Sequence, residues 1–409
     1  MSELIGVAES KIKEAVKEVY MPYEAMFKEK YREVCEDEEN GFISEMRRAC
    51  GRPNYDYFCL LNLLWTLSMN PWNDELLERI RESLSKKDFV TSWKEIKRNK
   101  IEYKKIIENS DIIKCKKRKY NIIVPVKNRE EHLQAFLSSS LSTLSNYNDW
   151  MITIIFQEDD DKLFNEYKQI LQDVDNINLI NMPASILKPL YGENMNRSLC
   201  YNVASKIVPC EWQMNHDIDL IFMPDFCENV ESKSKTCKKW FQPYRGSRVV
   251  YLDRESSEAM VNALSKKHNI QLRTSYPPMN NTPHTGGAPG GCVVVNWKDF
   301  QEMGGYDPEF IWGYGPEDQM FWKKLEYFYR QDDSILESTR AMKGHPFVSY
   351  DVYSHETNVE LYHLWHPPTK VESRYPFWNL FFASYINNCF TKNDVVDWFE
   401  MSKDNYLNG

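Results

Sequence analysis

The sequence predicts an α/β fold in which a parallel sheet is flanked by helices. Three apolar, strand-like runs carry this prediction: YNIIVPV at 120–126, WMITIIF at 150–156, and NINLINM shortly after residue 175. Each run is followed by a segment with helical spacing of apolar residues, beginning with EEHLQAFLSSSLSTL at 130–144. Strands that alternate with helices in this way pair in parallel, and ligands of such sheets bind beyond the carboxyl ends of the strands.

Three regions are predicted along the chain. Residues 1–116 show helical spacing, as in ESKIKEAVKEVYMPYEAMFKEKYREV, and contain no recognisable catalytic pattern. The α/β domain is expected at 117–370 and a C-terminal helical extension at 371–409. The basic cluster KCKKRK at 114–119 marks the first boundary, and because it is short we interpret it as a solvated connector.

Composition argues against several classes of protein. The net charge of −9 over 409 residues disfavours a general nucleic-acid-binding protein, since such proteins neutralise phosphates with Lys and Arg. The longest apolar-rich run, CLLNLLWTLSM at 59–69, is shorter than the roughly 20 residues that span a bilayer. Ten cysteines are scattered without a C-x-x-C pair, so we expect reduced thiols in a cytoplasmic chain.

An acidic pair, Asp217 and Asp219, lies in the segment NHDIDLIFMPDF. In an extended segment the two carboxylates would share one face, with Ile218 on the other. Two carboxylates on one face are unfavourable unless a cation neutralises them, and Mn²⁺ or Mg²⁺ would do so with oxygen ligands. The alternative is a polar turn that ends a strand.

A second candidate ligand pair, His363 and His366, lies in the segment YHLWHPP. The two histidines are three residues apart and would face one direction on a helical turn. Imidazole binds borderline metals such as Mn²⁺, and we favour His366 because it adjoins the rigid Pro-Pro. The alternative is a pair of loop histidines packed near Trp365.

The stretch WGYGPEDQMFWKKL predicts a helix start. Pro316 suits a first helical turn, and Glu317 and Asp318 suit the positive end of the helix dipole. The functional interpretation is a catalytic carboxylate at the helix mouth. Glycines flanking Tyr314 indicate a mobile loop, in which Trp312 and Tyr314 would lie against a sugar. The alternative is an ordinary helix start beside core aromatic residues.

Taken in order, these segments resemble the GT-A glycosyltransferases. The resemblance is closest to the β-1,4-galactosyltransferase group, with its relatives among chondroitin polymerases and polypeptide GalNAc-transferases. VPVKNREEHL resembles that group's nucleotide-binding opening, MNRSLCYNVA its Phe-Asn-Arg-Ala segment and WGYGPEDQ its acceptor segment. DIDLI matches its metal motif, and HLWH lies where the family places a late metal-binding histidine. The resemblance covers residues 120–370 and rests on the order of the five motifs.

The resemblance implies a role for each matching residue. The uridine nucleotide would be bordered by Pro125, Val126, Arg129 and Arg197, and the ribose or donor sugar by Asp217. The implied metal ligands are Asp219 and His366, with His363 as an extra ligand. The implied substrate-binding residues are Trp312, Gly313, Tyr314 and Glu317. Glu317 and Asp318 would hold the acceptor hydroxyl, with Asp318 as the general base.

The fold implied by the resemblance is a mixed GT-A sheet flanked by helices. The implied reaction is inverting, metal-dependent transfer from a UDP-sugar to a saccharide or glycoconjugate hydroxyl, as in polysaccharide biosynthesis. The sugar would be a hexose or N-acetylhexosamine, with Gal or GalNAc favoured, and the cofactor Mn²⁺ or Mg²⁺. Met195 replaces an aromatic residue of the family, Tyr314 a tryptophan and Pro316 a glycine.

Two other functions are compatible with the sequence. A nucleotidyltransferase acting on sugar phosphates would use a similar fold and metal-binding acids, but PVKNRE contains no glycine for a triphosphate loop. A carbohydrate-binding or scaffold module would have the same fold without turnover. The presence of acidic and histidine residues at all the motif positions argues against such a loss of activity.

Overall fold

The computed structural model describes the α/β part of the chain and its C-terminal helix. The described residues are 101–158, 160–191, 195–222, 224–237, 239–244, 248–265, 284–287, 291–308, 317–330, 359, 361–366 and 392–409. One compact unit comprises Ile101–Ile311, Glu317–Pro368 and Asp397–Gly409. The helices predicted within residues 1–100 lie outside the described residues.

Strands in the described residues follow the predicted apolar runs and extend beyond them. They are β1 (Asp111–Ile113), β2 (Tyr120–Val126), β3 (Trp150–Phe156), β4 (Ile177–Asn181), β5 (Trp212–His216), β6 (Leu220–Phe222), β7 (Trp240–Phe241), β8 (Arg248–Tyr251), β9 (His284–Gly287), β10 (Cys292–Asn296) and β11 (Leu361–His363).

Helices in the described residues alternate with the first strands, as the sequence predicts. They are α1 (Tyr103–Glu108), α2 (Glu130–Leu144), α3 (Lys162–Ile170), α4 (Ala184–Tyr191), α5 (Arg197–Ile207), α6 (Phe226–Thr236), α7 (Arg254–Ser265), α8 (Trp297–Glu302), α9 (Glu317–Arg330) and α10 (Lys392–Asn408). Among them, none combines the length and apolar character that crossing a lipid bilayer requires.

The larger sheet has seven strands in the order β1-β4-β3-β2-β5-β10-β7. Its centre is parallel, with β2 paired to β3 and β5, and β3 paired to β4. Its edges are antiparallel, because β1 pairs with β4, β10 with β5, and β7 with β10. The predicted α/β class, a mixed sheet flanked by helices, is therefore confirmed. The sheet begins at Asp111, which precedes the predicted domain start at residue 117.

The central strands are mostly apolar because both faces of the sheet are covered. Every residue of β2, β3 and β4 is buried. Alternate residues enter two separate apolar layers, with Ile122 and Ile152 in one and Ile123 and Ile155 in the other. Burying one such side chain contributes about 1.5–3 kcal/mol, so these strands anchor the domain.

A row of buried polar side chains crosses this sheet and favours its register. Thr153 donates a hydrogen bond to Asn121 at 2.7 Å, and Asn178 donates to Thr153 at 3.3 Å. On the next strand, Gln213 donates to Asn215 at 2.7 Å. Because a buried polar group without a partner costs about 1–3 kcal/mol, a one-residue shift that separated these groups would be strongly unfavourable.

A smaller sheet of four strands has the order β6-β11-β8-β9. Strand β11 pairs antiparallel with β6 and parallel with β8. In this register His363 lies opposite Leu220 on one side and Tyr251 on the other. A residue from late in the sequence is thereby placed one position away from Asp219.

Helix α5 is joined to the segment before α9 by one buried amide. The side chain of Asn202 donates to the Tyr306 carbonyl at 2.9 Å and accepts from the Tyr306 N–H at 2.9 Å. The chain approaches this amide through Gly304 and Gly305, whose φ angles of 82° and 61° are left-handed. A Cβ atom on Gly305 would clash with the Asn202 amide oxygen, so a glycine is required there.

The end of helix α10 packs into the same compact unit. Tyr406 is buried against Tyr103, with ring centroids 5.6 Å apart. Lys324, buried in α9, donates to the Gly305 carbonyl at 3.0 Å and to Ser402 at 3.2 Å. The last turns of the predicted C-terminal extension therefore contribute to the core that supports α9.

We expect the Gly305→Ala variant to be less stable than the wild type by at least about 2 kcal/mol, since a left-handed φ and a steric clash both oppose the methyl group. Urea unfolding of the full chain measures this difference. Glu302→Ala, at an exposed position in the preceding helix, is the matched control and should change stability by less than about 0.5 kcal/mol. Equal stability of the two variants would contradict the close approach at residue 305.

Candidate active site

The candidate site lies beyond the carboxyl ends of β2, β3 and β5, where parallel sheets bind ligands. Asn128, just after β2, adopts a left-handed conformation with φ of 52°. Its backbone N–H donates to both carboxylate oxygens of Glu158, after β3, at 2.9 and 3.1 Å. Pro125 and Val126, predicted to border a nucleotide, are buried inside β2, so their side chains pack in the core.

The acidic pair lies in a turn, and the expectation that it forms an extended segment is wrong. Strand β5 ends at His216, and the Leu220 N–H bonds to the Asp217 carbonyl at 3.3 Å before β6 begins. The turn directs the two carboxylates to different partners. Asp217 contacts an arginine, whereas Asp219 lies beside two histidines. The alternative interpretation, a polar turn that ends a strand, describes the local backbone.

Asp219, His363 and His366 converge into one cluster. Nε2 of His366 is 3.3 Å from one oxygen of Asp219, and Nε2 of His363 is 3.8 Å from the other. One potential ligand atom of each residue lies within 4.8 Å of the others. The predicted helical turn is wrong here, because His363 ends strand β11 and His366 follows it. The two histidines nevertheless meet the predicted aspartate.

Backbone hydrogen bonds hold this cluster together. The Leu364 N–H donates to the Asp219 carbonyl at 2.8 Å, and the Leu252 N–H donates to the His363 carbonyl at 3.0 Å. These bonds continue the pairing of β11 with its two neighbours past the strand ends. The positions of the imidazoles therefore follow from the register of the smaller sheet.

Electrostatics at this cluster favours the protonation states of metal ligands. Burial alone would raise the pKa of Asp219, but the hydrogen bond with His366 and the charge of His363 hold that pKa well below its usual range. Burial lowers the pKa of His363, with the Asp219 charge opposing the shift. At neutral pH the carboxylate is ionised and the His363 imidazole is neutral, which is the form that coordinates a metal.

The residues present fit a divalent cation. One carboxylate and two imidazoles form a donor set suited to Mn²⁺ and related metals. The three side chains keep 13–22% of their surface exposed, so the cluster is accessible to a ligand. A cation held by three protein atoms retains coordination positions for substrate oxygens.

Two residues near this cluster were missed by the sequence analysis. His132, in the first turn of α2, has its ring centroid 6.2 Å from that of His366. Tyr251, the last residue of β8, has its ring 4.7 Å from that of His363. His132 lies within the NREEHL segment after β2, so its position beyond a strand end was an available signal. Nothing in the local sequence distinguishes Tyr251.

A second cluster surrounds Arg197, the first residue of α5. Its Nη1 donates to both oxygens of Asp217 at 2.7 and 2.6 Å. Its Nη2 donates to Glu317 at 2.9 Å and to Asp318 at 2.6 Å. The structure therefore unites two predicted catalytic carboxylates with Asp217 around one guanidinium. Arg197 was predicted to border the uridine, and its guanidinium donates its hydrogen bonds to these three acids.

The charges of this second cluster are unequal, since one cation faces three acids. Burial raises the pKa of Glu317 to about 8, with the Asp318 charge adding to the rise and Arg197 opposing it. Burial also raises the pKa of Asp217, again against the charge of Arg197. Burial alone would lower the pKa of Arg197, but the carboxylates raise it well above its ordinary value. The guanidinium is therefore permanently charged.

The N-terminus of α5 fixes the position of Arg197. Asn196 caps the helix, because its side-chain oxygen accepts from the Leu199 N–H at 2.9 Å. The Asn196 backbone N–H donates to Gln157, after β3, at 2.8 Å, and its side chain donates to the Pro308 carbonyl at 2.9 Å. Arg197 is thus located relative to both a strand end and the segment that precedes α9.

Helix α9 begins at Glu317, with Glu317 and Asp318 in its first turn as predicted. The aromatic loop residues that precede it, Trp312, Gly313, Tyr314 and Pro316, lie outside the described residues. Their predicted contact with substrate therefore stays a prediction.

No protein-family model matches this sequence, and no curated protein matches it. Among solved structures, Drosophila β1,4-galactosyltransferase 7 in complex with manganese, UDP-Gal and xylobiose is similar at 15% identity and a TM-score of 0.29. That match covers 52% of this chain and 62% of the other, so the chain spans about three fifths of the galactosyltransferase. S. aureus TarS is similar at 11% identity over 71% of each chain, with a TM-score of 0.35.

A third similar structure is glucosyl-3-phosphoglycerate synthase from Mycobacterium tuberculosis in complex with Mn²⁺, UDP and glucosyl-3-phosphoglycerate. It matches at 11% identity over 70% of this chain and 80% of the other, with a TM-score of 0.31.

We expect His366→Ala to weaken Mn²⁺ binding at least about a hundredfold, because losing even an outer-shell partner costs about 10- to 100-fold in metal affinity. Isothermal titration of Mn²⁺ into the full chain measures this loss. Asp173→Asn, which removes an exposed carboxylate distant in sequence from the three cluster residues, is the control and should bind Mn²⁺ as the wild type does. Unchanged affinity in His366→Ala would remove this histidine from the metal site.

Proposed function

We propose that the protein is a metal-dependent GT-A glycosyltransferase, which transfers a sugar from a UDP-sugar to a hydroxyl of a saccharide or glycoconjugate. One observation carries the proposal. The turn after β5 has a metal-ligand cluster at its Asp219 end and a carboxylate cluster at its Asp217 end. Glycosyl transfer needs charge stabilisation at the leaving group and a proton acceptor at the attacking hydroxyl, and the two clusters supply these separately.

The donor diphosphate is assigned to the Asp219 end of the turn. Asp219, His363 and His366 would hold the divalent cation. When bound, Mn²⁺ or Mg²⁺ supplies Lewis-acid stabilisation of the diphosphate leaving group. The ionised Asp219 and neutral His363 are already in the states that this binding requires.

Helix α2 also favours binding of an anion at the Asp219 end of the turn. Its first N–H groups and the preceding Arg129 attract phosphate, whereas Glu130 and Glu131 in the first turn oppose this attraction. Arg129 also lowers the pKa of Asp219 through its charge, so the two groups lie close enough to interact. We therefore retain Arg129 as a nucleotide contact and add His132, in the first turn of α2, as a neighbour of the donor site.

Asp318 is the proposed general base. Its Oδ2 is held by Arg197 at 2.6 Å, whereas Oδ1 is buried and has no hydrogen-bond partner among the described residues. The arginine fixes the side chain, and the second oxygen can take a proton from the acceptor hydroxyl. Such a base contributes about 10²–10⁴-fold to the rate. One base opposite the leaving group fits a single displacement with inversion at the anomeric carbon.

The finer details of the proposal rest on the motif resemblance. We assign the backbone of Pro125 and Val126 to the border of the donor site, Arg197 and Asp217 to the boundary between the donor and acceptor sites, and Trp312, Gly313, Tyr314 and Glu317 to substrate binding. The transferred sugar is a hexose or N-acetylhexosamine, and Gal and GalNAc are the favoured candidates. A cytosolic role in polysaccharide synthesis fits the buried free thiols of the described part of the chain.

The first test is a screen of UDP-sugars with Mn²⁺, in which released UDP is measured with and without saccharide acceptors. We expect UDP release to depend on acceptor and metal, and to stop when a chelator removes the cation, because the diphosphate charge is then unbalanced. Full activity after thorough metal removal would contradict the assigned role of Asp219 and His366. Formation of a UDP-sugar from UTP and a sugar phosphate would instead support a nucleotidyltransferase.

The second test is the Asp318→Asn variant. An amide cannot accept the hydroxyl proton, so we expect the transfer rate to fall about 10²–10⁴-fold while UDP affinity with Mn²⁺ stays within about twofold. Steady-state kinetics and titration calorimetry measure the two quantities. Glu228→Gln, an exposed acid in the first turn of α6, is the matched control. Transfer by Asp318→Asn at nearly the wild-type rate would show that another group is the base.

A further inference from the structure

The cluster around Arg197 leaves two of its three acids without a counter-charge. Asp217, Glu317 and Asp318 together carry three negative charges when ionised, and Arg197 supplies one positive charge. The tyrosine hydroxyls facing the cluster, Tyr201 and Tyr306, stay neutral because burial raises the pKa of each well above its ordinary value. Unbalanced charge in a buried site is strongly unfavourable, and a bound proton is the simplest compensation.

The contacts single out Glu317 as the acid that holds this proton. It is the most buried of the three, with 10% of its side chain exposed, against 22% for Asp217 and 21% for Asp318. It also has the longest bond to the guanidinium, 2.9 Å, whereas the aspartates accept at 2.6 Å. Asp217 receives two bonds from Arg197 and a third from Tyr201 at 3.2 Å, which stabilise its ionised form.

The second oxygen of Glu317 is consistent with protonation, although it does not distinguish Glu317 from Asp318, whose Oδ1 is also buried without a hydrogen-bond partner among the described residues. Oε2 is buried and has no hydrogen-bond partner among the described residues. An ionised oxygen in that position would be desolvated without compensation, whereas a protonated one carries an O–H that can donate to a ligand. The N-terminus of α9 opposes protonation of Glu317, because the helix dipole favours negative charge there. Burial and the charge of the neighbouring Asp318 outweigh this effect of the dipole.

We propose that Glu317 carries a proton at neutral pH and donates a hydrogen bond through it to a sugar oxygen of the acceptor, while its neighbour Asp318 stays ionised as the base. The inference rests on the proposed function and assigns a different role to each of the two adjacent acids. Glu317 keeps its proton throughout, and Asp318 takes the proton of the attacking hydroxyl. Arg197 is the positioning residue that holds both carboxyl groups.

The proton is tested by infrared spectroscopy of the full chain, without reference to turnover. Between about pH 6 and pH 10 we expect a carboxylic-acid C=O band to disappear with a midpoint near 8. The band should be missing in Glu317→Gln and present in Glu228→Gln. If Glu317→Gln does not fold, ¹³C-glutamate labelling of the wild type should shift the band, which assigns it to a glutamate. A band that is absent at neutral pH, or that survives in Glu317→Gln, would overturn the proposal.

The donated hydrogen bond is tested by the pH profile of transfer. Because the donor is lost on ionisation, kcat/KM of the wild type should fall as pH rises through about 8. Glutamine is isosteric with the protonated acid, so Glu317→Gln should lose no more than about tenfold and should lack this alkaline fall. Glu317→Ala should lose about a hundredfold, since Asp318 and Arg197 keep their places but the donor is gone.

The outcomes of these experiments distinguish failure of the proposed function from failure of the proposed Glu317 hydrogen bond. Absence of any UDP-sugar turnover by the wild type would reject the proposed function and the donated bond, while the infrared result still decides the proton. Transfer by the wild type with the alkaline fall retained in Glu317→Gln would overturn the donated bond and leave the glycosyltransferase in place.

Discussion

The contact between Arg197 and its three carboxylates is the interaction on which the candidate site depends. It joins helix α5, the turn after β5 and the start of α9, although Arg197 is separated from Asp217 by 20 residues and from Glu317 by 120. Removing one partner of a buried ion pair costs about 3–5 kcal/mol, because the other charge stays buried. The arginine therefore holds the three acids together and stabilises negative charge on them.

The turn at residues 217–219 places the two carboxylates of one sequence motif in two different clusters. Its backbone is held from both sides, since the Asp217 N–H bonds to the Gly291 carbonyl at 2.8 Å and the Asp219 carbonyl accepts from Leu364 at 2.8 Å. Gly291 immediately precedes β10 of the larger sheet, and Leu364 immediately follows β11 of the smaller sheet. Because the turn bridges two sheets, its two carboxylates diverge, and one cation need not neutralise both. The guanidinium of Arg197 pairs with Asp217, so Asp219 remains available to bind a metal ion.

Sequence reasoning identified the central sheet and named the residues of the candidate metal cluster, but it missed how those residues are arranged. The strands were predictable because buried parallel strands are continuously apolar. The grouping of Asp219 with His363 and His366 was predicted from ligand chemistry together with the family resemblance. Their backbone was not, because the apolar run after Asp219 resembles a continuing strand when it in fact enters a second sheet. The pairing of Arg197 with Glu317 has no local signature, since it depends on how α5 and α9 pack.

The geometry of the Arg197 cluster also explains why an arginine, and not a lysine, suits its centre. The planar fork presents Nη1 to both oxygens of Asp217 while Nη2 reaches Glu317 and Asp318 at the same time. A lysine ammonium is a single point of charge on a flexible stem and could not reach acceptors on both sides of that fork. It would also lose its proton more readily when buried, whereas a guanidinium stays charged. A permanent, planar cation therefore suits the proposed arrangement, in which one acid of the cluster holds a proton while its neighbour acts as the base.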